Sequence, residues 1–245
     1  GDNTTNPEPG KEEGGSETPS NKTYHVNINF KTDEGEEIKA PVQDTYDEDD
    51  EYNYPVTGKP NIRSMFSTLM QRDGSAIPWF IMTEDGKTYV IDTVLTSQED
   101  LAKIESGTIT EDITVDIYYA LDMIGANPDG SGSDGIPDKY QAVVTYRAVN
   151  GTVVGANAEG ERKVVVALKD TNGSYAKAEN GGKAVLMESQ IPETTPNKGF
   201  GPEGAWEPEK PVPGTEIVAN ITFVITYDPS YTVTYTHGVA GEEVF

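Results

Sequence analysis

Residues 24–38 read YHVNINFKTDEGEEI, and two later segments begin in the same way: YQAVVTYRAVNGTVV at 140–154 and YTVTYTHGVAGEEVF at 231–245. In the first segment, apolar residues alternate with polar ones from Tyr24 to Phe30. This period of two is typical of a strand with one buried face. Each segment therefore predicts an opening β-strand, and the recurrence predicts an internal repeat.

Glycine follows the opening tyrosine by eleven residues in the first two segments, at Gly35 and Gly151. This spacing predicts a hairpin turn with positive φ at each glycine. Two closing strands also match, ITVDIYY from Ile113 and ITFVITY from Ile221. Paired openings and closings predict two complete modules and the start of a third.

These patterns set the predicted boundaries along the 245 residues. We expect a flexible acidic tether over 1–21, module one over 22–122, a Gly/Pro/Asp connector over 123–139, and module two over 140–228. Residues 229–245 then begin a truncated third repeat, whose opening strand should pack poorly on module two.

Module one has the predicted order ββαββαβ. Apolar residues at helical spacing predict a helix over 61–74, and Asp85-Gly86 predicts a hairpin. A second helix should begin after Ser97 as its N-cap and stop at Gly107. Module two is more strand-rich, with a long Pro/Gly loop predicted over residues 189–214.

The composition excludes several classes of function. The formal net charge of −24 disfavours binding to nucleic acid. There is no cysteine and there are only two histidines, so thiol chemistry is excluded and little material remains for a histidine-based active site. No stretch of about 18 apolar residues occurs, so we expect the chain not to be inserted in a membrane.

The connector contains the strongest candidate for a metal site, in the sequence SDGIPDKY at 133–140. In an EF-hand register with Gly135 at the turn, Asp134 and Asp138 fall on ligand positions, but two other ligand positions fall on glycines. Asp129 could complete a site with Asp134 and Asp138 from outside this register. Calcium binding and a plain interdomain turn therefore both remain open, with weak or no calcium binding expected.

Two tryptophans are candidates for contact with a sugar ring. Trp79 lies beside Phe80 and Ile81 in a predicted strand, where core packing is the expected role. Trp206 lies in the predicted Pro/Gly loop among glutamates and is the candidate ligand contact.

The sequence offers no catalytic constellation, because the motifs of serine hydrolases, zinc proteases, P-loop enzymes and dinucleotide-binding enzymes are all absent. The acidic run at 47–51 is typical of a solvated loop. We therefore expect no enzyme activity and no cofactor other than the calcium considered for the connector.

The ββαββαβ order, the opening YHVNINF and the closing ITEDITVDIYY resemble the ubiquitin-like β-grasp modules of Gram-positive surface proteins, namely mucin-binding-protein-type and internalin B-type repeats. The piece SDGIPDKY resembles the connectors of thrombospondin type 3-like calcium repeats. The resemblance covers about nine tenths of the chain, and its motifs are structural. It implies a mainly β fold with α+β character, built from two tandem β-grasp modules, the second more strand-rich.

The same resemblance implies export and a cell-surface location, with attachment to the cell wall through regions outside 1–245. The expected function is that of a monomeric, non-enzymatic adhesin stalk or presenting module that contacts adjacent repeats of its own polypeptide. Two alternatives remain: a module that binds a host glycan or mucin-type glycoprotein, and an accessory region of a large secreted enzyme. No wall-sorting signal and no motif for an internal cross-link of the collagen-binding type occurs in the sequence.

Overall fold

A computed structural model describes residues 1, 22–59, 77–125, 127–130 and 132–235. Apart from Gly1, the predicted tether lies outside the described residues. The helix predicted over 61–74 and the end of the predicted third repeat, 236–245, also lie outside them.

Module one contains nine described strands and one α-helix. They are β1 (Thr23–Thr32), β2 (Glu37–Asp47), β3 (Glu51–Asn53), β4 (Val56–Thr57), β5 (Ile77–Pro78), β6 (Phe80–Met82), β7 (Thr88–Ile91), α1 (Gln98–Glu105), β8 (Ser106–Thr108) and β9 (Ile113–Leu121).

Module two contains eight strands and no α-helix. The strands are β10 (Gln141–Val149), β11 (Gly151–Val153), β12 (Arg162–Ala167), β13 (Ala184–Val185), β14 (Thr194–Pro196), β15 (Phe200–Glu207), β16 (Glu216–Ile217) and β17 (Ile221–Pro229). Short 3₁₀ turns cover Asp138–Tyr140, Ala178–Asn180 and Glu188–Gln190. The described chain is therefore mainly β, as the alternating patterns predict.

The two main sheets share one arrangement of strands. The first has the order β2-β1-β9-β7-β6 and the second the order β12-β10-β17-β15. In each, the opening strand pairs antiparallel with its hairpin partner and parallel with the closing strand. The next strand, β7 or β15, then pairs antiparallel with the closing strand. The repeat seen in the sequence is thus also a repeat of strand pairing.

The register of the parallel pair differs between the sheets. Ile113, the first residue of β9, pairs with Val26, whereas Ile221, the first residue of β17, pairs with Val144. Measured from the opening tyrosine, the second register is shifted by two residues. A shift of two keeps every side chain on its original face, so both sheets keep one buried face.

Each sheet buries its own hydrophobic core. In module one the buried residues are Val26, Ile28, Phe30, Tyr52, Tyr54, Ile77, Trp79, Val90, Ile91, Ile104, Ile109, Ile113, Val115, Ile117 and Tyr119. In module two they are Ala142, Val144, Tyr146, Val153, Val166, Leu168, Leu186, Ile217 and Phe223. No residue belongs to both clusters, although independent folding of the modules stays a prediction.

Several local predictions are confirmed. The hairpin at Asp85-Gly86 joins β6 to β7, with Gly86 at φ 81°. Ser97 caps α1 by accepting a hydrogen bond from the backbone N–H of Asp100 at 3.2 Å. Trp79 is buried in the core, with 7% of its surface exposed.

The structural roles predicted for two glycines are wrong. Gly107 does not end the helix in a left-handed conformation but lies in β8, where a Cβ would come within 2.5 Å of the Tyr52 hydroxyl. The tight hairpin predicted at Gly151 does not form, because β11 pairs with β14 and not with β10, and the positive φ at this turn belongs to Asn150 and not to Gly151. Gly151 instead allows close packing, since a Cβ there would lie 2.6 Å from the ring of Tyr227.

The long loop predicted over 189–214 is also wrong, because it contains β14 and β15. Trp206 lies in β15 and pairs with Ile225 of β17. Pro and Gly suggested a loop, yet β15 is the edge strand of its sheet, where these residues are tolerated.

The chain beyond module two leaves its sheet after Pro229, where β17 ends. Tyr231, Val233 and Tyr235 are not in a strand, and each exposes 70% or more of its surface. Alternation of apolar and polar residues does not form a strand here, and within the described part of the chain no sheet packs against the three side chains.

Candidate functional site at the connector

Two aspartates close the connector into a loop. The side chain of Asp122, just after β9, accepts hydrogen bonds from the backbone N–H groups of residues 134 and 135, at 3.2 and 2.8 Å. From the other end, Asp138 accepts hydrogen bonds from the N–H groups of residues 123 and 124, at 3.0 and 2.9 Å. A side chain at each end of the connector therefore binds the backbone at the other end. These bonds restrain the connector far more than a Gly/Pro turn without them would be restrained.

A second set of bonds surrounds Asp134. Its carboxylate accepts from the backbone N–H of Ile136 at 3.0 Å and from Nε2 of Gln141 at 2.6 Å. Gln141 is 8% exposed, and among the described residues its Oε1 has no hydrogen-bond partner.

The structure separates the three predicted calcium ligands. Asp129 lies beside module two, where it accepts from Nδ2 of Asn157 at 2.5 Å and lies 3.8 Å from Nζ of Lys163. Asp134 lies near Asp122 instead, because its backbone N–H donates to the Asp122 side chain at 3.2 Å, and the Asp138 side chain accepts from the N–H of the next residue, 123, at 3.0 Å. Within the described ranges, no group of three His, Asp or Glu residues converges closely enough to hold a metal ion. The weak or absent calcium binding expected from the sequence stays a prediction.

Burial perturbs two of these carboxyl groups. It raises the pKa of Asp122 to about 6, although hydrogen bonds from the N–H groups of residues 134 and 135 act in the opposite direction. Burial also raises the pKa of Asp138, again opposed by backbone N–H donors, and the nearby charge of Asp134 raises it further. The connector thus places carboxylates where their charge is costly.

Asp92 is the central residue of a second contact, between module one and the start of module two. It follows β7, its side chain is fully buried, and its Oδ1 accepts from the N–H groups of Val94 and Leu95 at 3.0 and 3.2 Å. The hydroxyl of Tyr140 donates to both carboxylate oxygens, at 3.0 and 3.1 Å. Nζ of Lys139 lies 2.5 Å from Oδ2.

Lys139 and Tyr140 are fixed by further contacts. Nζ of Lys139 lies 3.0 Å from Asp33 in the β1–β2 turn. Burial lowers the pKa of Lys139, but its bonds to Asp92 and Asp33 outweigh this effect and raise the pKa overall. Burial and the charge of Asp92 raise the pKa of Tyr140 to about 12, and its ring stacks on Tyr175 of module two at 6.0 Å.

A cavity of 340 Å³ opens beside this ion pair. Its lining residues are Thr32, Asp33, Glu34, Glu36, Tyr89, Ala120, Leu121, Asp138 and Lys139. Water can therefore approach Lys139 from one side, consistent with the 19% exposure of its side chain.

The two tryptophans occupy different environments. Lys59 lies over the ring of Trp79 at 5.1 Å, and among the described residues the buried Nε1 of Trp79 has no partner. Trp206 is half-buried and packs against the core of module two. Part of the Trp206 ring stays accessible at the edge strand β15.

The sequence interpretation missed Asp92 and Asp122. A signal exists, because each aspartate directly follows the apolar end of a strand, Ile91 or Leu121. The acidic run at 47–51 is exposed, as expected of a solvated loop.

In comparisons with known proteins, no family model and no curated protein matches the chain. Among the described helices, none has the length and apolar character needed to cross a membrane.

Proposed function

We propose that residues 22–229 are two tandem β-grasp modules from an exported bacterial surface protein, and that they act as a stiff, non-enzymatic spacer presenting binding regions elsewhere in that protein. The β-grasp assignment is supported by the shared arrangement of hairpin, parallel first and last strands, and antiparallel neighbour in both sheets. A spacer works by holding a fixed direction between its modules, so the junction is the part on which this function depends.

One observation carries the proposal: the buried carboxylate of Asp92 in module one receives both Lys139 and Tyr140 from the far end of the connector. Removing one partner of a buried charge pair costs about 3–5 kcal/mol. A junction held in this way should open rarely. A hinge would instead leave these polar groups in water.

The absence of native cysteine allows a direct test by spin labelling. Labels at Glu84→Cys in module one and Glu203→Cys in module two report the distance between the modules by pulsed electron resonance. We expect one narrow distance distribution. A distribution as broad as that of two modules on a flexible tether would overturn the spacer proposal.

Variants in the labelled background then identify the cause of stiffness. Lys139→Met keeps the apolar stem but removes the ammonium, and it should broaden the distribution. Lys183→Met is the matched control, since Lys183 forms a 2.6 Å ion pair with Glu216 whose two side chains are 46% and 59% exposed. It should leave the distribution narrow.

A second candidate function, binding of a mucin-type glycan, draws support from the accessible part of Trp206. An aromatic ring offers a flat apolar face to a sugar. Glycan-array binding by the chain, lost in Trp206→Ala with an unchanged circular dichroism spectrum, would support it. Retained binding in that variant would remove Trp206 from the contact.

A further inference from the structure

The contact between Lys139 and Asp92 differs from an ordinary surface ion pair in its distance, its burial and its neighbouring carboxylate. Nζ lies 2.5 Å from Oδ2 of Asp92, which is shorter than the usual 2.7–2.9 Å of such charged hydrogen bonds. A second carboxylate, Asp33, lies 3.0 Å from the same Nζ. The Asp92 side chain is fully buried, in contrast to the exposed pair of Lys183 and Glu216.

The two oxygens of Asp92 have different surroundings. Oδ1 faces the N–H groups of Val94 and Leu95 and the hydroxyl of Tyr140, at 3.0 to 3.2 Å. Fixed N–H and O–H donors around one oxygen are the arrangement that stabilises an oxyanion in acyl transfer. Oδ2 contacts Nζ of Lys139, the one amine in this set, and shares the Tyr140 hydroxyl with Oδ1, at 3.1 Å.

We propose that Nζ of Lys139 and Cγ of Asp92 condense to an amide bond that covalently ties the start of module two to module one. One proton passes from Nζ to Oδ2 along their contact. Nζ then attacks Cγ while Asp33 accepts a second proton and delivers it to Oδ2. The Cγ–Oδ2 bond breaks and Oδ2 leaves as water, so the ammonium and carboxylate become one amide and one water molecule.

Proximity and burial make this condensation possible. Groups held in contact react with effective concentrations of about 10⁵–10⁸ M, which offsets the unfavourable equilibrium of amide formation in water. Burial also penalises the ion pair relative to its neutral form. Because Asp92 and Asp33 favour the ammonium form of Lys139, the reaction is slow and occurs once in each molecule.

The bond would change the mechanics of the junction. It would join the turn after β7 to the residue before Tyr140, so that a pull along the chain bypasses the connector. The cross-link does not depend on the spacer proposal, because a hinge elsewhere in the connector would leave its chemistry unchanged.

Intact mass spectrometry of the full chain tests the proposal. We expect a mass lower than that of the sequence by one water molecule, and a branched peptide joining the segments around Asp92 and Lys139 after proteolysis. A folded protein whose mass equals that calculated from the sequence, with no loss of water, would overturn the proposal. A branched peptide joined at other residues would overturn it as well.

Three variants locate the chemistry. Lys139→Arg keeps the charge but lacks the nucleophilic amine, so it should show the full sequence mass. Asp33→Asn removes the proton acceptor and should remain unlinked when the unaltered chain is fully linked; linkage at the unaltered rate would overturn the role given to Asp33. Lys183→Arg is the control and should keep the loss of water, because its short contact lacks the second carboxylate and the buried donors.

Discussion

Asp122 should make the stability of the protein depend on pH in a direction opposite to that of an ordinary surface carboxylate. Its pKa is raised by burial to about 6 from an ordinary value of 3.8. The difference corresponds to about 3 kcal/mol by which folding favours the protonated form. The folded chain therefore binds this proton more tightly than the unfolded chain, and stability falls as pH rises from about 4 through 6.

The substitution Asp122→Asn isolates this effect, because asparagine is neutral at every pH. An amide has one acceptor oxygen in place of two, so one of the bonds to residues 134 and 135 is lost, at a cost of about 1–2 kcal/mol at all pH values. Relative to the variant, the unaltered chain should lose about 2.4 kcal/mol of unfolding free energy between pH 4 and 7.5.

Urea unfolding followed by circular dichroism, at several pH values in buffer with a chelator, measures both free energies. The chelator keeps a bound cation from acting in place of the proton. Curves for the two proteins that run parallel across this range would refute the reasoning, because they would mean that Asp122 titrates alike in the folded and unfolded chains.

Three further predictions concern packing and order. Gly151→Ala should cost about 1–3 kcal/mol, because a Cβ there would lie 2.6 Å from an aromatic ring, whereas Gly201→Ala should cost little since its Cβ would meet only one atom, at 3.7 Å; urea unfolding decides, and equal losses would contradict the packing argument. Tyr54→Phe should cost about 1–3 kcal/mol by removing the buried hydroxyl that donates to Asp44 at 2.5 Å, and a loss below about 0.5 kcal/mol would show that the bond is dispensable. Amide hydrogens of residues 231–235 should exchange rapidly in dilute monomer, as expected for exposed chain outside a strand; slow exchange would show that they belong to module two.

The opening and closing strands of the two main sheets could be predicted well because their apolar residues alternate with polar ones. The pattern ITVDIYY, for example, corresponds to a burial pattern in which Ile113, Val115 and Ile117 are all buried. The relative register of the parallel strands could not be predicted. A shift by two residues preserves the alternation, so sequence periodicity does not distinguish the two registers.

Glycine and proline were the less reliable signals, because they serve several structural purposes. Gly107 and Gly151 permit close approach of tyrosine rings, and neither has a positive φ. At the edge strand β15, glycine and proline are compatible with a strand that has only one neighbour. A single sequence does not separate these uses, since each depends on residues distant in the chain.

The site was predicted in part. Asp134 and Asp138 marked the connector as a candidate site in the sequence. The residue at the centre of the junction, Asp92, lies outside the connector. Its partners, Lys139 and Tyr140, are about fifty residues further along the chain. Such a contact is created by the fold, so local spacing carried no information about it.

Titration of the Asp122 carboxyl group also tests whether the connector binds calcium. The charges of Asp134 and Asp138 raise the pKa of Asp122, and the charge of Asp134 raises the pKa of Asp138, so either a proton on Asp122 or a divalent cation among the three would relieve that repulsion. The two must therefore compete, and a bound cation would lower the apparent pKa of Asp122. Backbone N–H groups already occupy part of each carboxylate, and two EF-hand ligand positions fall on glycines.

We therefore expect millimolar calcium to move the upper end of the fall in stability, near pH 6, by less than about 0.3 pH units. The measurement repeats the urea titrations with calcium in place of the chelator. Magnesium at equal ionic strength is the control for screening, because it prefers a more rigid octahedral site. If calcium alone lowers this upper end by about one pH unit or more, the connector binds calcium, and its carboxylates can turn from the backbone to an ion.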